Sequence, residues 1–247
     1  MSFTDWVSEF LEATPATPLV RMIAIGSLNG VGAVNGRSGA LGNSTDQALL
    51  AAVRTWADAV VATAHTAHTE QYQIPQPIEN STTLPPVIVL LSNSLHLSLS
   101  DAIFSPAPRL DTAHPRVMVA TTAQAAAAHP GTIDTLERRG IDVLRVAATN
   151  SGHGVDIPAL IIELRARGLT TIAIEGGPHL YHEALQTHSI DEIIYSIAPR
   201  VVFPDELRTF GTASVGADSA DHHLKLLRTH IADSMIYARY KVDRSTE

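Results

Sequence analysis

Residues Thr171–Pro199 read TIAIEGGPHLYHEALQTHSIDEIIYSIAP, and the order of their parts decides the fold class. Thr171–Glu175 is a short run rich in β-branched side chains that stops at Gly176-Gly177-Pro178. Pro178–Gln186 reads as a helix, with proline in the first turn, where its missing N–H is no loss. Asp191–Ile197 is a second apolar run. Strand, glycine turn, helix and strand together fit a crossover between parallel strands. The glycines permit close backbone approach, and a helix start presents N–H groups with a partial positive charge, so a phosphate fits there. A tight strand–helix turn that binds nothing would carry the same two glycines.

Outward from that stretch, strand and helix signals alternate. Towards the N-terminus lie an amphipathic helix over Ile157–Arg167 ended by Gly168, a strand at Ile141–Val146, and a helix over Thr132–Arg139 ended by Gly140. Val117–Ala120 and Val87–Leu91 read as buried strands, with Ser92–His114 irregular between them. Ala125–Ala128 is the one low-complexity tract. Ala59–Ala62 is a strand that runs into a polar loop, TAHTAHTEQYQIPQP at 63–77, and Pro75, Pro77, Pro85 and Pro86 punctuate an exposed segment. His65, His68 and Glu70 share that loop. Without further ligands at recognisable spacing they read as ordinary polar side chains, and no metal is expected.

Residues 26–46, GSLNGVGAVNGRSGALGNSTD, hold six glycines and no helical period, and so long a connection is a functional candidate. Gly30-Val31-Gly32 lacks the third glycine of a dinucleotide fingerprint. Ser44, Thr45 or Asp46 is placed to cap a helix over Gln47–Trp56, with Leu49, Leu50 and Val53 inward. Before the loop come a strand at Leu19–Ile25 and a short amphipathic helix at Ser2–Ala13, with Trp6, Phe10 and Leu11 on one side. That helix reads as packing on its own domain rather than docking a partner. After Pro199 the chain loosens through Phe203–Ser219. It closes with Leu224–Ile231 and Met235–Val242, a hairpin joined at Ala232-Asp233. The pattern is α/β, a mixed central sheet with helices on both faces and a C-terminal antiparallel hairpin.

Composition bounds the function. The 247 residues allow one large α/β domain or two small ones. A net charge of -8 is opposed to a nucleic-acid surface, although a local cluster can still bind a phosphorylated ligand. No cysteine is present, which excludes disulfides, thiolate metal sites and cysteine nucleophiles and suits a reducing cytosol. The N-terminal MSFTDWVSEFLEATP has three acids and no Lys or Arg, unlike a signal peptide, and no apolar run approaches the ~20 residues that span a bilayer. A soluble, cytoplasmic protein without membrane partners is expected. No Gly-x-Ser-x-Gly elbow supports a hydrolase.

The SLNG loop at 27–30, the segment AHTAHTE at 64–70 and EGGPHL at 175–180 together resemble the reductase domain of riboflavin biosynthesis. That domain is the C-terminal half of bacterial bifunctional deaminase/reductases. Ile190-Asp191-Glu192 and Ala198-Pro199 extend the match, and the resemblance spans roughly Leu19 to Val242. It implies a dihydrofolate-reductase-like three-layer fold, with residues 1–18 an N-terminal extension and 19–247 a single reductase-type domain. The deaminase half needs cysteine zinc ligands, so this chain resembles a stand-alone reductase.

The implied chemistry is NADPH-dependent reduction of a ribosylamino-pyrimidinone phosphate to the ribitylamino compound, in a homodimer as relatives commonly are. By position, the resemblance assigns Gly176, Gly177, Pro178, His179, Leu180 and Tyr181 to the cofactor pyrophosphate. It places Thr63, Ala64 and Thr66 beside the cofactor, and Ser92 and Asn93 at its adenosine end. Glu70 is the implied catalytic acid, and Asn29, Arg37, Ser38, His68 and Glu175 fall at the substrate. Four departures are visible. Asn29 replaces the common aspartate, and Thr63-Ala64-His65 replaces a glycine-containing turn. His68 replaces an arginine, and Phe203-Pro204-Asp205 replaces expected glycines. A pterin or folate reductase, and a non-catalytic relative that binds a nucleotide or nothing, are the alternatives.

Overall fold

A computed structural model describes residues 3–11, 18–77, 84–106, 115–149, 152, 154–203, 207–211 and 221–243. The chain packs as two compact units, one of residues 1–56 with 173–247 and the other of residues 57–172.

The first unit is built on strands β1 (Leu19–Ser27), β7 (Glu192–Ala198), β8 (Leu224–Ala232), β9 (Met235–Val242) and the main part of β6 (Thr171–Gly176). Their order is β6-β1-β7-β9-β8. β1 and β7 are parallel, with Ile23 opposite Ile194, whereas β7–β9 and β8–β9 are antiparallel. The expected mixed sheet and C-terminal hairpin are therefore present. The hairpin turns one residue later than expected, at Asp233 and Ser234, whose φ values of 51° and 64° match a tight two-residue turn. The helix expected over Pro178–Gln186 forms there as α7. Its flanking strands are not neighbours, because β1 lies between β6 and β7.

Helix α2 (Ser44–Trp56) starts three residues before the expected Gln47. Asn43, rather than Ser44, Thr45 or Asp46, supplies the cap, its Oδ1 accepting from the Asp46 N–H at 2.9 Å. Helix α1 (Phe3–Leu11) buries Trp6, Phe10 and Leu11, as its spacing predicts, and Val7 as well. Trp6 stacks on His230 of β8 at 4.0 Å, so this helix packs on its own unit.

Beneath α1 sits a buried ion cluster. Arg21 Nε donates to Glu192 Oε2 at 2.7 Å, and Arg239 donates to both Glu192 oxygens at 3.0 and 2.9 Å. The same arginines donate to the carbonyls of Leu11 and Phe10, closing the C-terminal end of α1. The Arg21 guanidinium also lies 4.1 Å from the Trp56 ring centroid. Burial pushes the Glu192 carboxyl up, but the hydrogen bonds from Arg239 and Arg21 outweigh it and hold the group below its ordinary range.

The second unit carries four parallel strands, β2 (Ala59–Thr63), β3 (Val87–Leu91), β4 (Val117–Thr122) and β5 (Asp142–Val146), in the order β5-β4-β3-β2. Val60, Val89, Leu90, Val119 and Ala120 are fully buried at its centre, and α6 (Ile157–Ala166) buries Ile157, Leu160, Ile161 and Leu164. The segment expected as a polar loop after β2 is instead a helix, α3 (Ala64–Thr69), nucleated by its Thr63 cap and anchored by Ala67. The alanine tract lies in a second such helix, α4 (Ala123–Ala128), capped by Thr122. Helix α5 (Pro130–Arg138) starts two residues earlier than expected, with proline in its first turn. Among its described residues, the segment read as irregular holds one 3-10 turn, Ala102–Phe104, whose Ile103 and Phe104 are buried.

Candidate functional site

Ligands of parallel α/β sheets bind at the carboxyl ends of the strands, and most of the singled-out residues follow such ends. In the first unit β1 ends in the glycine loop. A Cβ on Gly26 would collide with the Tyr195 hydroxyl and Thr209 Oγ1, and one on Gly32 would meet the Thr209 backbone at 2.8 Å. These glycines admit residues 207–211 across the loop. The Gly32 N–H donates to Leu207 O at 2.7 Å, the Thr209 N–H to Gly30 O at 3.1 Å, and Arg208 Nη1 to Asn29 O at 2.7 Å. The same strap reaches α7, since a Cβ on Gly211 would lie 3.3 Å from Pro178 O. Sequence reasoning missed this strap, because only the folded chain brings residues so far apart together.

Asn29 is engaged on both edges. Its Oδ1 accepts from Ser27 Oγ at 2.7 Å and from the Val202 N–H at 3.1 Å, while Nδ2 donates to Val202 O at 2.9 Å. Arg37 is exposed in a turn closed by Val34, and Ser38 opens a short 3-10 turn.

Glu175 precedes the glycine pair, and its carboxylate takes two hydrogen bonds from Arg54 of α2, at 2.7 and 2.5 Å. Its side chain is 2% exposed. Gly176 and Gly177 have φ of 148° and 93°, which side-chain-bearing residues rarely adopt. Among the described residues no side chain caps α7, and the positive end of its dipole favours an anion. Leu180 and Tyr181 are buried, and Tyr181 OH donates to Ile23 O at 2.6 Å, anchoring the helix; Pro178 is half-buried and His179 exposed.

In the second unit Thr63 ends β2 and Ser92 follows the adjacent β3. Thr63 Oγ1 accepts from the Thr66 N–H at 3.1 Å and donates to Thr66 Oγ1 at 2.9 Å. Ala64 is half-buried beside them. Ser92 Oγ accepts from the Leu95 N–H, and Asn93 Oδ1 from the Val155 N–H. Glu70 ends α3, half-buried. His68 pairs with Asp101 at 2.8 Å, a partner without any local sequence signal. The buried Thr121 hydroxyl at the end of β4 has no hydrogen-bond partner among the described residues. Among those residues no group of three His, Asp or Glu could hold a metal, and no helix is long and apolar enough to cross a membrane.

The family described as the RibD C-terminal domain matches residues 18–228. The chain belongs to this family. A pyrimidine reductase-like protein of Corynebacterium diphtheriae is 32% identical and has a TM-score of 0.82, the match covering 97% of this chain and 99% of that one. The riboflavin biosynthesis reductase Rib7 of Saccharomyces cerevisiae shares the fold at 10% identity and a TM-score of 0.66, over 98% and 97% of the two chains. A Thermotoga maritima deaminase/5-amino-6-(5-phosphoribosylamino)uracil reductase is 17% identical at a TM-score of 0.66, over 92% of this chain and 57% of that one. No curated protein sequence matches. The matched residues include both EGGPHL and SLNG.

Proposed function

We propose that this RibD-type domain is an NADPH-dependent reductase that converts 5-amino-6-(5-phosphoribosylamino)uracil to its ribitylamino product. The observation that carries the reading is the turn at Gly176-Gly177. It leads into a helix start without a side-chain cap among the described residues, in a chain whose family match covers residues 18–228. That turn suits the pyrophosphate of a dinucleotide, because glycine backbone admits close approach and the helix dipole favours negative charge. Gly176–Tyr181 are assigned to the cofactor, with Leu180 and Tyr181 serving as anchors. The family resemblance also assigns Thr63, Ala64, Thr66, Ser92 and Asn93 to it.

When bound, NADPH supplies the hydride. The protein's own task is to orient the sugar carbon and manage a proton. Glu70 is the assigned proton-handling group, His68 and Arg37 face substrate anions, and Ser38 offers a hydroxyl. Glu175, locked by Arg54, supports the glycine turn from behind.

A homodimer in the cytoplasm completes the reading. One face of the β8–β9 hairpin supports self-association, since Leu224, Leu226, Ile231 and Ile236 stay 40–71% exposed there. The cysteine-free composition suits a reducing compartment. The deciding assay follows NADPH oxidation with the ribosylaminopyrimidine phosphate and, separately, with dihydrofolate. Turnover with the first alone is expected. In Glu70→Gln, turnover should fall by ~100-fold or more with NADPH affinity kept. Absence of NADPH binding to the wild type would overturn the assignment.

A further inference from the structure

Val202 lies just beyond β7, and its backbone N–H and C=O are both served by one side chain, that of Asn29. The amide orientation is unambiguous, because the N–H of Val202 can only donate and its carbonyl can only accept. Ser27 Oγ fills the second lone pair of Oδ1, and the Ser27 hydroxyl itself accepts from the Val31 N–H at 2.9 Å. The Leu28 N–H donates to Arg200 O at 2.8 Å, next to this clasp. The clasp thus ties the loop after β1 to residues 200–202 at the carboxyl ends of two parallel strands. Leu28 and Phe203 flank it and remain 70% and 79% exposed. Exposed apolar side chains at that edge are suited to contact a flat heterocycle.

We propose that Asn29 is a positioning residue whose amide pins residues 200–202 to the β1 loop and so sets the apolar rim that meets the substrate. The link to substrate rests on the reductase reading; the clasp itself does not. An ionised aspartate in this place would aim lone pairs at Val202 O and lose the donor. A protonated aspartate restores both, with its O–H to Val202 O and its carbonyl to the Val202 N–H. Repulsion from Val202 O and donation to it from the protonated form push the folded-state pKa of such a carboxyl up, against the Val202 N–H, the Ser27 hydroxyl and the Arg208 guanidinium, which favour the ionised form. Its contribution is therefore present in acid and lost as pH rises through that pKa.

The experiment compares wild type, Asn29→Asp and Asn29→Ala at about pH 4.5 and about pH 7.5, on either side of a raised carboxyl pKa. Thermal midpoints are measured without ligand, and KM and kcat with the ribosylaminopyrimidine phosphate and NADPH. At the higher pH both variants should show KM raised ~10-fold with kcat changed far less, and lowered midpoints. At the lower pH Asn29→Asp should regain the wild-type midpoint and KM, and Asn29→Ala should regain neither. Equal defects of Asn29→Asp at both pH values, or a wild-type KM in Asn29→Ala, would overturn the proposal. Unfolding of both variants at both pH values would also overturn it, since the residue would then serve the fold at large. If wild type turns over no substrate, the reductase reading fails, and the ligand-free midpoints still decide the clasp.

Discussion

Arg54 on α2 and Glu175 on β6 form a two-point ion pair across 121 residues of sequence, with Nε and Nη2 each donating to one carboxylate oxygen. The carboxylate is nearly sealed, whereas the arginine side chain is 31% exposed. The pair sits immediately before Gly176, so it fixes where the glycine turn begins.

Removing Arg54 takes a two-point partner from a buried negative charge. Arg54→Ala should cost about 3 kcal/mol, the lower end of what breaking a buried pair costs, because the arginine is partly hydrated. Glu175→Gln, which leaves no buried charge, should cost less, and the double variant Arg54→Leu with Glu175→Leu should recover much of the loss. Urea unfolding of the set measures this. Additive losses in the double variant would show that the two residues do not act as a pair.

The Arg21–Glu192–Arg239 cluster makes a pH prediction. The Glu192 carboxyl is held below its ordinary range, so the folded state binds fewer protons than the unfolded chain there. The stability it adds is present above the unfolded pKa, near ~4.3, and is lost as pH falls through the folded value. Glu192→Gln should be less stable than wild type by about 3–5 kcal/mol at neutral pH, because two arginines then share a neutral partner. The gap between them should narrow in acid. A constant gap from neutral to acid would assign the stability to packing instead.

What could be seen in the sequence was what depends on near neighbours. Val87–Leu91 and Pro178–Gln186 have the residues the structure gives to β3 and α7, because an apolar run and a Gly-Gly-Pro boundary are local signals. Helices α3 and α4 were missed for the same reason. Each has only six residues and one buried side chain, so no hydrophobic period accumulates, and a threonine cap with tertiary contact makes the helix. The EGGP turn and the departure at Asn29 were visible as residues. What Asn29 does was not, because Val202 lies 173 positions away. Arg54, Asp101 and the 207–211 strap were invisible on the same ground.

At the start of α2, Asp46 and Tyr237 are pushed in the same direction. Burial raises the Asp46 carboxyl, with the Ser196 hydroxyl partly opposing it. Burial, with the charges of Asp46 and Asp233, pushes the Tyr237 phenol up to about 12. Both groups are more protonated folded than unfolded, so each adds stability that falls as pH rises through its folded value. For Tyr237 that window runs from about 10 to about 12. Tyr237→Phe should flatten the alkaline limb of stability, and Asp46→Asn should stabilise the protein at neutral pH more than in acid. Chemical denaturation across pH tests both. An Asp46→Asn variant less stable at neutral pH than in acid, relative to wild type, would contradict the sign.

Gly177 carries the cofactor assignment into a single substitution. Its φ of 93° with ψ of 131° is a conformation that alanine adopts only under strain, on the order of 1–3 kcal/mol. The helix it introduces is held independently, by buried Leu180 and Tyr181 and by the bond from Tyr181 OH to Ile23 O. Gly177→Ala should therefore fold, with a lower melting temperature, and the strain should be relieved by movement of the turn. A moved turn no longer presents the helix start to a pyrophosphate. NADPH affinity should fall by ~10-fold or more, since 1.4 kcal/mol is about a factor of ten. Calorimetric titration of the variant reads the effect directly. The same affinity in a folded Gly177→Ala protein would take the glycine turn out of the cofactor site. It would leave the strands of the second unit, with Thr63, Ser92 and the Thr121 hydroxyl, which has no partner among the described residues, as the place to look.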